Sequence, residues 1–338
     1  MKKTNTYILA IESSCDDTSC AVLCNDKVLS NITATQHIHQ QHGGVVPELA
    51  SRDHQKNILL TVKSALKTAN IELSQLNAIA VTQGPGLMGS LLVGISFAKS
   101  LALSLQIPII PVNHMQGHIL AHLINDGNNE IPKFPFLCLT VSGGHTQLVN
   151  VKSALNIEII GSTIDDAVGE AFDKAAKIMG LPYPGGPLID KHAQKGNPNK
   201  FKFANAKLEG YNFSFSGIKT SFLYFINDNL KQDKSFVTNN LQDICASYQK
   251  HLINTLLNQV KKIIVDKGYK NIAIAGGVSA NSCLRADLKA LENEFDVKTF
   301  VPKFEYCTDN AAMIGIVAYF KYLQNNFSDF DFVPITRM

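Results

Sequence analysis

The chain has 338 residues, 45% hydrophobic and only 17% charged, with a formal net charge of +3. That length accommodates two domains with a sizeable core, and the low charge excludes a largely disordered chain. So small a positive charge also excludes a globally basic nucleic-acid binder, so any RNA surface has to be local or shared with partners. The seven cysteines include no CxxC pair. They argue against a disulfide scaffold or a zinc ribbon and fit a reducing cytoplasm.

In chain order, the basic start MKKT leads through the short apolar run YILAI to Glu12, unlike a signal peptide. No segment offers the roughly 18 uninterrupted apolar residues of a membrane span. The runs YILAIES, TSCAVLC and KVLSNIT, parted by turn residues at CDD and ND, predict three antiparallel strands over residues 6–35. Cys20 and Cys24, an even number apart in the second run, read as small buried hydrophobes. NAIAVT then predicts a strand, and LMGSLLVGISFAKSLALSL a helix.

In VNHMQGHILAHLI, residues 112–124, His114, His118 and His122 recur every fourth residue on a predicted helix. Neighbours in such a row leave one face about 5–6 Å apart at Cβ, close enough to share a cation. Any single His here reads more readily as a solvated or hydrogen-bonded core residue, and the shared face is what favours a pair as ligands. FLCLTVS, TQLVNVK and NIEIIGS then repeat the three-strand pattern, and NIAIAGG before NSCLRADLKALENEF repeats the strand–helix pair. Two copies of one α/β unit predict a duplicated fold of two lobes with a central cleft. The expected lobes are residues 1–125 plus 312–338, and residues 126–311 with a helical insertion. Glycine-rich stretches at QGPGLMGS, VSGGHTQ, YPGGPLID and AGGVSAN stand where strands would turn toward that cleft. Their peptide N–H groups favour a nucleotide-like ligand over plain turns, although no Walker A or GxGxxG sequence occurs. Asp309 reads as the N-cap of the apolar helix AAMIGIVAYF.

The ordered set IESSCDDTSCAV, HGGVVPELASRDH, TQGPGLMGSLLVG, NHMQGH, VSGGHTQL, DDAVGEAFDKAAKIMGLPYPGGP, FSFSGIKT, AGGVSANSCLR and CTDNAAMIG spans nearly the whole chain. It resembles the actin-like (ASKHA) superfamily and, within it, the tRNA N6-adenosine threonylcarbamoyltransferase family, called TsaD in bacteria. The resemblance implies transfer of threonylcarbamoyl from L-threonylcarbamoyl-AMP to N6 of the adenosine immediately 3′ of the anticodon, in tRNAs reading codons that begin with A, with AMP released. It implies a metal held by His114, His118 and Asp309, with one Fe(II) per chain and zinc as the alternative; two imidazoles and a carboxylate suit either ion. His122 matches no ligand of the family. Substrate contacts carried over are Val141, Ser142, Gly143, Gly144 and His145 around the threonylcarbamoyl and phosphate end, Asp173 and Asp190 toward ribose hydroxyls, Gly186 beside the nucleoside, and Asn281. The proton acceptor has no sequence signature; His145 and the substrate phosphate are the candidates. Implied partners are tRNA, an inactive paralogous subunit and a small P-loop ATPase, all in the cytoplasm.

One departure is Gln116, where relatives often carry Glu between the metal histidines. Among rival readings, a metalloprotease needs HExxH or HxxEH, but Met115 and Gly117 stand at the glutamate positions. A phosphotransferase or ATP-driven clamp of the same fold is the second rival, and a tRNA-binding scaffold without chemistry the third. For tRNA, Lys195, Lys200, Lys202 and Lys207 in HAQKGNPNKFKFANAKLEG are candidate phosphate contacts, although the run reads more readily as a solvated loop, and Phe201 and Phe203 are either stacking rings or anchors of that loop.

Overall fold

The computed structural model describes residues 5–127, 130–203 and 209–337. It forms two compact units, Met1–Ile131 with Pro302–Met338, and Pro132–Val301. The junctions differ from the expected 125/126 and 311/312 because residues 302–311 belong with the first unit. There Asp126 pairs with Lys303 (2.6 Å) and accepts from the Tyr306 hydroxyl (3.2 Å).

In the first unit, β1 (Tyr7–Glu12), β2 (Asp17–Cys24), β3 (Lys27–Thr35), β4 (Ala78–Gly84) and β5 (Ile109–Asn113) form one sheet in the order β3-β2-β1-β4-β5. The alternation of side chains along each strand sorts its two faces. Leu9, Ile11, Cys20, Val22, Ile79 and Val81 pack with Ile58 and Val62 of α1 (Pro47–Ala69) and with Leu91 and Ile95 of α2 (Met88–Leu105). A later helix, Ala311–Leu323, also packs along this sheet. Its Gly315 admits Leu23, whose Cδ1 would lie 2.2 Å from an added Cβ. By length and composition α2 alone among the described helices could cross a membrane. Lys99 interrupts its apolar run and reaches the Phe332 carbonyl (2.6 Å), and the helix packs on α1 and β4.

The second unit repeats the plan. Strands β6 (Phe136–Val141), β7 (Thr146–Ser153), β8 (Asn156–Ser162), β9 (Asn271–Ala275) and β10 (Lys298–Phe300) are ordered β10-β9-β6-β7-β8. In both sheets the first strand runs antiparallel to the second and parallel to the fourth. This is the predicted duplication, seen in register. The helical insertion lies between β8 and β9 as four helices: Val168–Ile178, Gly185–Ala193, Ser216–Gln232 and Phe236–Lys267. Phe172, Phe203, Phe222 and Tyr248 are buried together at its centre.

Candidate functional site

In chain order the remaining helices are α3 (His114–Leu120), α4 to α7 (the insertion, in the order above), α8 (Ser282–Phe295) and α9 (Ala311–Leu323). Helix α3 starts where β5 ends. The Asn113 side chain caps it, accepting from the Gln116 N–H (2.9 Å), so the histidine row is helical from its first member. His114 and His118 follow one turn apart, with ring centroids 4.7 Å apart and nearly perpendicular. Between them Gly117 lets α3 lie close against α9: an added Cβ would sit 3.1 Å from both Met313 Cγ and Ile314 Cδ1. A glutamate there, as an inverted protease motif requires, meets the same atoms. The close approach brings in the segment that leads into α9, so that Asp309 Oδ1 lies 3.2 Å from His118 Nε2 and 3.4 Å from His114 Nε2. One ligand atom from each residue lies within 4.8 Å of the other two. His122 is buried in the following turn and is not part of this group.

The N-cap expectation for Asp309 is corrected. Asn310 caps α9, its side chain accepting from the Met313 N–H (3.0 Å), and its extended backbone (φ −155°, ψ 153°) is what a cap requires. Asp309 is therefore released from helix duty and faces the histidines.

Sequence reasoning missed Glu12. Its one signal was an acid closing the otherwise apolar strand YILAIE. Glu12 is fully buried; Oε1 accepts from the Ser14 N–H (2.6 Å) and Oε2 from the Thr82 hydroxyl. Oε2 also lies 3.2 Å from His114 Nδ1, and Ser14 Oγ lies 3.1 Å from the same nitrogen. Burial disfavours the charged form of each member, and their mutual attraction overrides it. For Glu12, burial raises the pKa, but His114 and the Ser14 hydrogen bond bring it below the usual carboxylate range. For His114, burial lowers the pKa, while Asp309 and Glu12 lift it to about 9. For Asp309, burial raises the pKa and the two histidines pull it to about 2. A positive charge is thus favoured between the buried Glu12 carboxylate and the half-buried Asp309 carboxylate.

A metal fits the same place. His114 has its Nδ1 held from behind, so its Nε2 faces Asp309, and the Nδ1 of His118 is buried without a partner, leaving its Nε2 as the engaged atom. Two imidazole nitrogens and a carboxylate oxygen suit Fe(II) or Zn(II), with positions open for substrate.

In the second unit, β6 ends at Val141, and residues 142–145 form a tight turn in which the Ser142 N–H donates to the His145 carbonyl (2.8 Å) and the His145 N–H to Ser142 Oγ (3.0 Å). Gly143 and Gly144 are exposed at its tip. Gly169, at the start of α4, has to be glycine because an added Cβ would lie 2.5 Å from the Ser142 carbonyl oxygen. Asp173 on α4 accepts at Oδ1 from the N–H groups of Gly185 (2.8 Å) and Gly186 (3.2 Å), capping α5 from a neighbouring helix. Asp190 on α5 accepts from the hydroxyl of Ser282 (2.6 Å), its N–H (3.1 Å) and the Gln249 amide (3.1 Å). Asn281 caps α8 through the Leu284 N–H (3.0 Å) and donates to Gln249 Oε1 (2.8 Å). The carried-over polar residues thus cluster at the N-termini of α5 and α8, where peptide N–H groups and the helix dipole favour anions.

Of the two readings of Phe201 and Phe203, the loop anchor holds and the stacking ring is overturned. Phe203 is buried edge-on against Tyr248 (5.6 Å), and Phe201 packs on Phe225 (5.1 Å) and Phe236 (5.9 Å), so both anchor the loop from within. Lys200 is tied to Asp243 (2.7 Å) and Asn240 (2.8 Å). Lys195 and Lys202 are exposed, and Lys207 lies outside the described residues.

Among solved structures, HypF of T. kodakarensis is similar with a TM-score of 0.63 at 14% identity, over 97% of this chain and 49% of that one. Component A of (R)-2-hydroxyglutaryl-CoA dehydratase from Acidaminococcus fermentans is similar with a TM-score of 0.53 at 14% identity, over 94% and 99%. At such identities the likeness shows the duplicated actin-like fold alone. A curated tRNA N6-adenosine threonylcarbamoyltransferase of Christiangramia forsetii is 61% identical over 100% of this chain and 99% of its own, and one of Riemerella anatipestifer 57% over 98% and 97%. The profile of the family described as "TsaD: tRNA N6-adenosine threonylcarbamoyltransferase" matches residues 27–316. With full-length relatives at such identity, the chain belongs to the tRNA N6-adenosine threonylcarbamoyltransferase family and is a transferase.

Proposed function

We propose that the chain transfers threonylcarbamoyl from L-threonylcarbamoyl-AMP to N6 of the adenosine immediately 3′ of the anticodon, in tRNAs reading codons that begin with A, and releases AMP. The observation that carries this reading is the convergence of His114, His118 and Asp309 in a chain of this family. The donor is a mixed anhydride and already activated. The new N6–C bond forms as the bond from carbonyl carbon to phosphate oxygen breaks, AMP keeps the electron pair, and N6 loses a proton. The protein's task is to position a weak amine and to accommodate negative charge on the departing phosphate.

His114, His118 and Asp309 would hold Fe(II), with zinc as the alternative; the bound ion would supply Lewis-acid polarisation of a substrate oxygen. The exposed peptide groups of Gly143 and Gly144, with Val141, Ser142 and His145 around them, would meet the threonylcarbamoyl and phosphate end. Asp173, whose Oδ1 is committed to α5, retains Oδ2 for a ribose hydroxyl, and Asp190 keeps spare lone pairs for the same use. Gly186 would adjoin the nucleoside and Asn281 the nucleoside or phosphate. His145 or the substrate phosphate would take the N6 proton. The seven free thiols suit a reducing cytoplasm, and an inactive paralogous subunit and a small P-loop ATPase are the proposed companions.

The test is reconstitution with threonylcarbamoyl-AMP and unmodified tRNA, with and without those companions, followed by nucleoside analysis and AMP quantitation. Modified adenosine formed in step with AMP supports the reading. AMP release without modified nucleoside, in the presence of all components, would refute it.

A further inference from the structure

We propose that Glu12 is a positioning residue for the metal centre, a buried carboxylate that fixes the ring of His114 so that Nε2 faces Asp309. The inference rests on the metal reading given above. Glu12 is 0% exposed and has no route to substrate, yet it is an acid inside an apolar sheet, a placement that is strongly unfavourable unless the group is paired and hydrogen-bonded. Its bonds account for its retention. Oε1 receives the Ser14 N–H (2.6 Å), while Oε2 receives the Thr82 hydroxyl and lies 3.2 Å from His114 Nδ1. A carboxylate only accepts, so the nitrogen facing it carries a hydrogen. That hydrogen places the coordinating lone pair on Nε2, the nitrogen 3.4 Å from Asp309 Oδ1. Ser14 Oγ, 3.1 Å from the same Nδ1, offers a second acceptor to that hydrogen. The donors that hold Glu12 come from β4 and from the turn after β1, so the first strand, the fourth strand and the metal helix are tied through one side chain. Carboxylates that orient metal-bound imidazoles in this way typically change metal affinity 10- to 100-fold when altered.

Glu12→Gln tests this at constant volume. One oxygen becomes an NH₂ that meets either the Ser14 N–H or the Nδ1–H, and the second conflict is relieved only if His114 changes to the tautomer that cannot ligate. Zn²⁺ affinity of the purified full chain is measured by competition with a chromophoric chelator, the visible bands of the Co²⁺ form are recorded, and melting is followed in chelator. Expected are a 10- to 100-fold loss of Zn²⁺ affinity and altered Co²⁺ bands, with the metal-free protein still folded. Wild-type affinity and bands in Glu12→Gln overturn the proposal. If that variant does not fold, ¹⁵N–¹H spectra of the imidazoles in the Zn²⁺-loaded wild type decide it: a hydrogen on Nδ1 of His114 supports the proposal and a bare Nδ1 overturns it. His114→Ala and Asp309→Ala are run alongside. If they bind Zn²⁺ as the wild type does, the metal reading itself fails; if they lose it while Glu12→Gln does not, only the role of Glu12 fails.

Discussion

Metal affinity should depend steeply on pH, because the raised pKa of His114 makes a proton compete with the ion for its Nε2. His114 is raised to about 9 by Asp309 and Glu12 against the opposing effect of burial. Binding at Nε2 has to release that proton. At pH 7 a group titrating near 9 is unprotonated in about 1% of molecules and at pH 9 in about half, so apparent affinity should rise about 50-fold between pH 7 and pH 9, about tenfold per unit at first and levelling off toward pH 9. Competition titration with Zn²⁺ at fixed ionic strength between pH 6 and pH 9 measures this directly. Asp309→Asn separates two effects in the same assay. Removing the anion lets the His114 pKa fall, so the rise should finish at lower pH, and losing a ligand lowers the plateau. The metal-free protein should show the opposite trend in stability. A pKa raised in the folded state contributes stability that is complete below the unfolded value, near 6.5, and is lost as pH rises through about 9. Melting temperature in chelator should therefore fall across that window in the wild type and less so in His114→Ala. An affinity flat between pH 7 and pH 9, or a bend unmoved by Asp309→Asn, would refute the account of a proton caged between two carboxylates.

Asn310→Ala should lose the α9 cap, costing about 1 kcal/mol and a few degrees of melting temperature while metal content stays normal; thermal melts paired with metal analysis check this. His122→Ala should keep its metal, since that ring lies outside the cluster, and metal analysis showing loss there but not in His114→Ala would reassign the ligands. Lys195→Glu with Lys202→Glu should raise the apparent KM for tRNA severalfold at low salt and leave Zn²⁺ affinity unchanged; an unaltered KM moves the RNA surface elsewhere.

Much of the fold was legible because short alternating runs bounded by turn residues recur in the same order. β1 to β3, β6 to β8, β9 with α8, and α2 all stand where these runs predict. What escaped has physical reasons. β5 is five residues with Pro111 inside it and no alternation, so only its pairing beside β4 defines it. α7 mixes polar and apolar residues over 32 positions because its buried residues are spread along a helix that neighbours pack from several sides. Phe201 and Phe203, readable locally either as stacking rings or as loop anchors, are claimed by an aromatic core whose other members lie far along the chain.

The candidate site divides in the same way between local and distant causes. The four-residue spacing of His114 and His118 is a local property, and α3 turns it into a shared face. Which histidine pair and which acid join depends on how α3 lies on α9, and that rests on Gly117, a residue whose importance is the absence of a side chain. In TDN two adjacent side chains could cap the helix, and only the backbone at Asn310 decides, which in turn frees Asp309 for the histidines. Glu12 illustrates the limit of local reading: on its strand it is one polar letter at the end of an apolar run. It acquires its role from Thr82 and His114, which the order β1-β4-β5 sets beside it. The unit of meaning there is a row of neighbouring strands, which is why the pair was visible in the sequence while the carboxylate behind it was visible only in the fold.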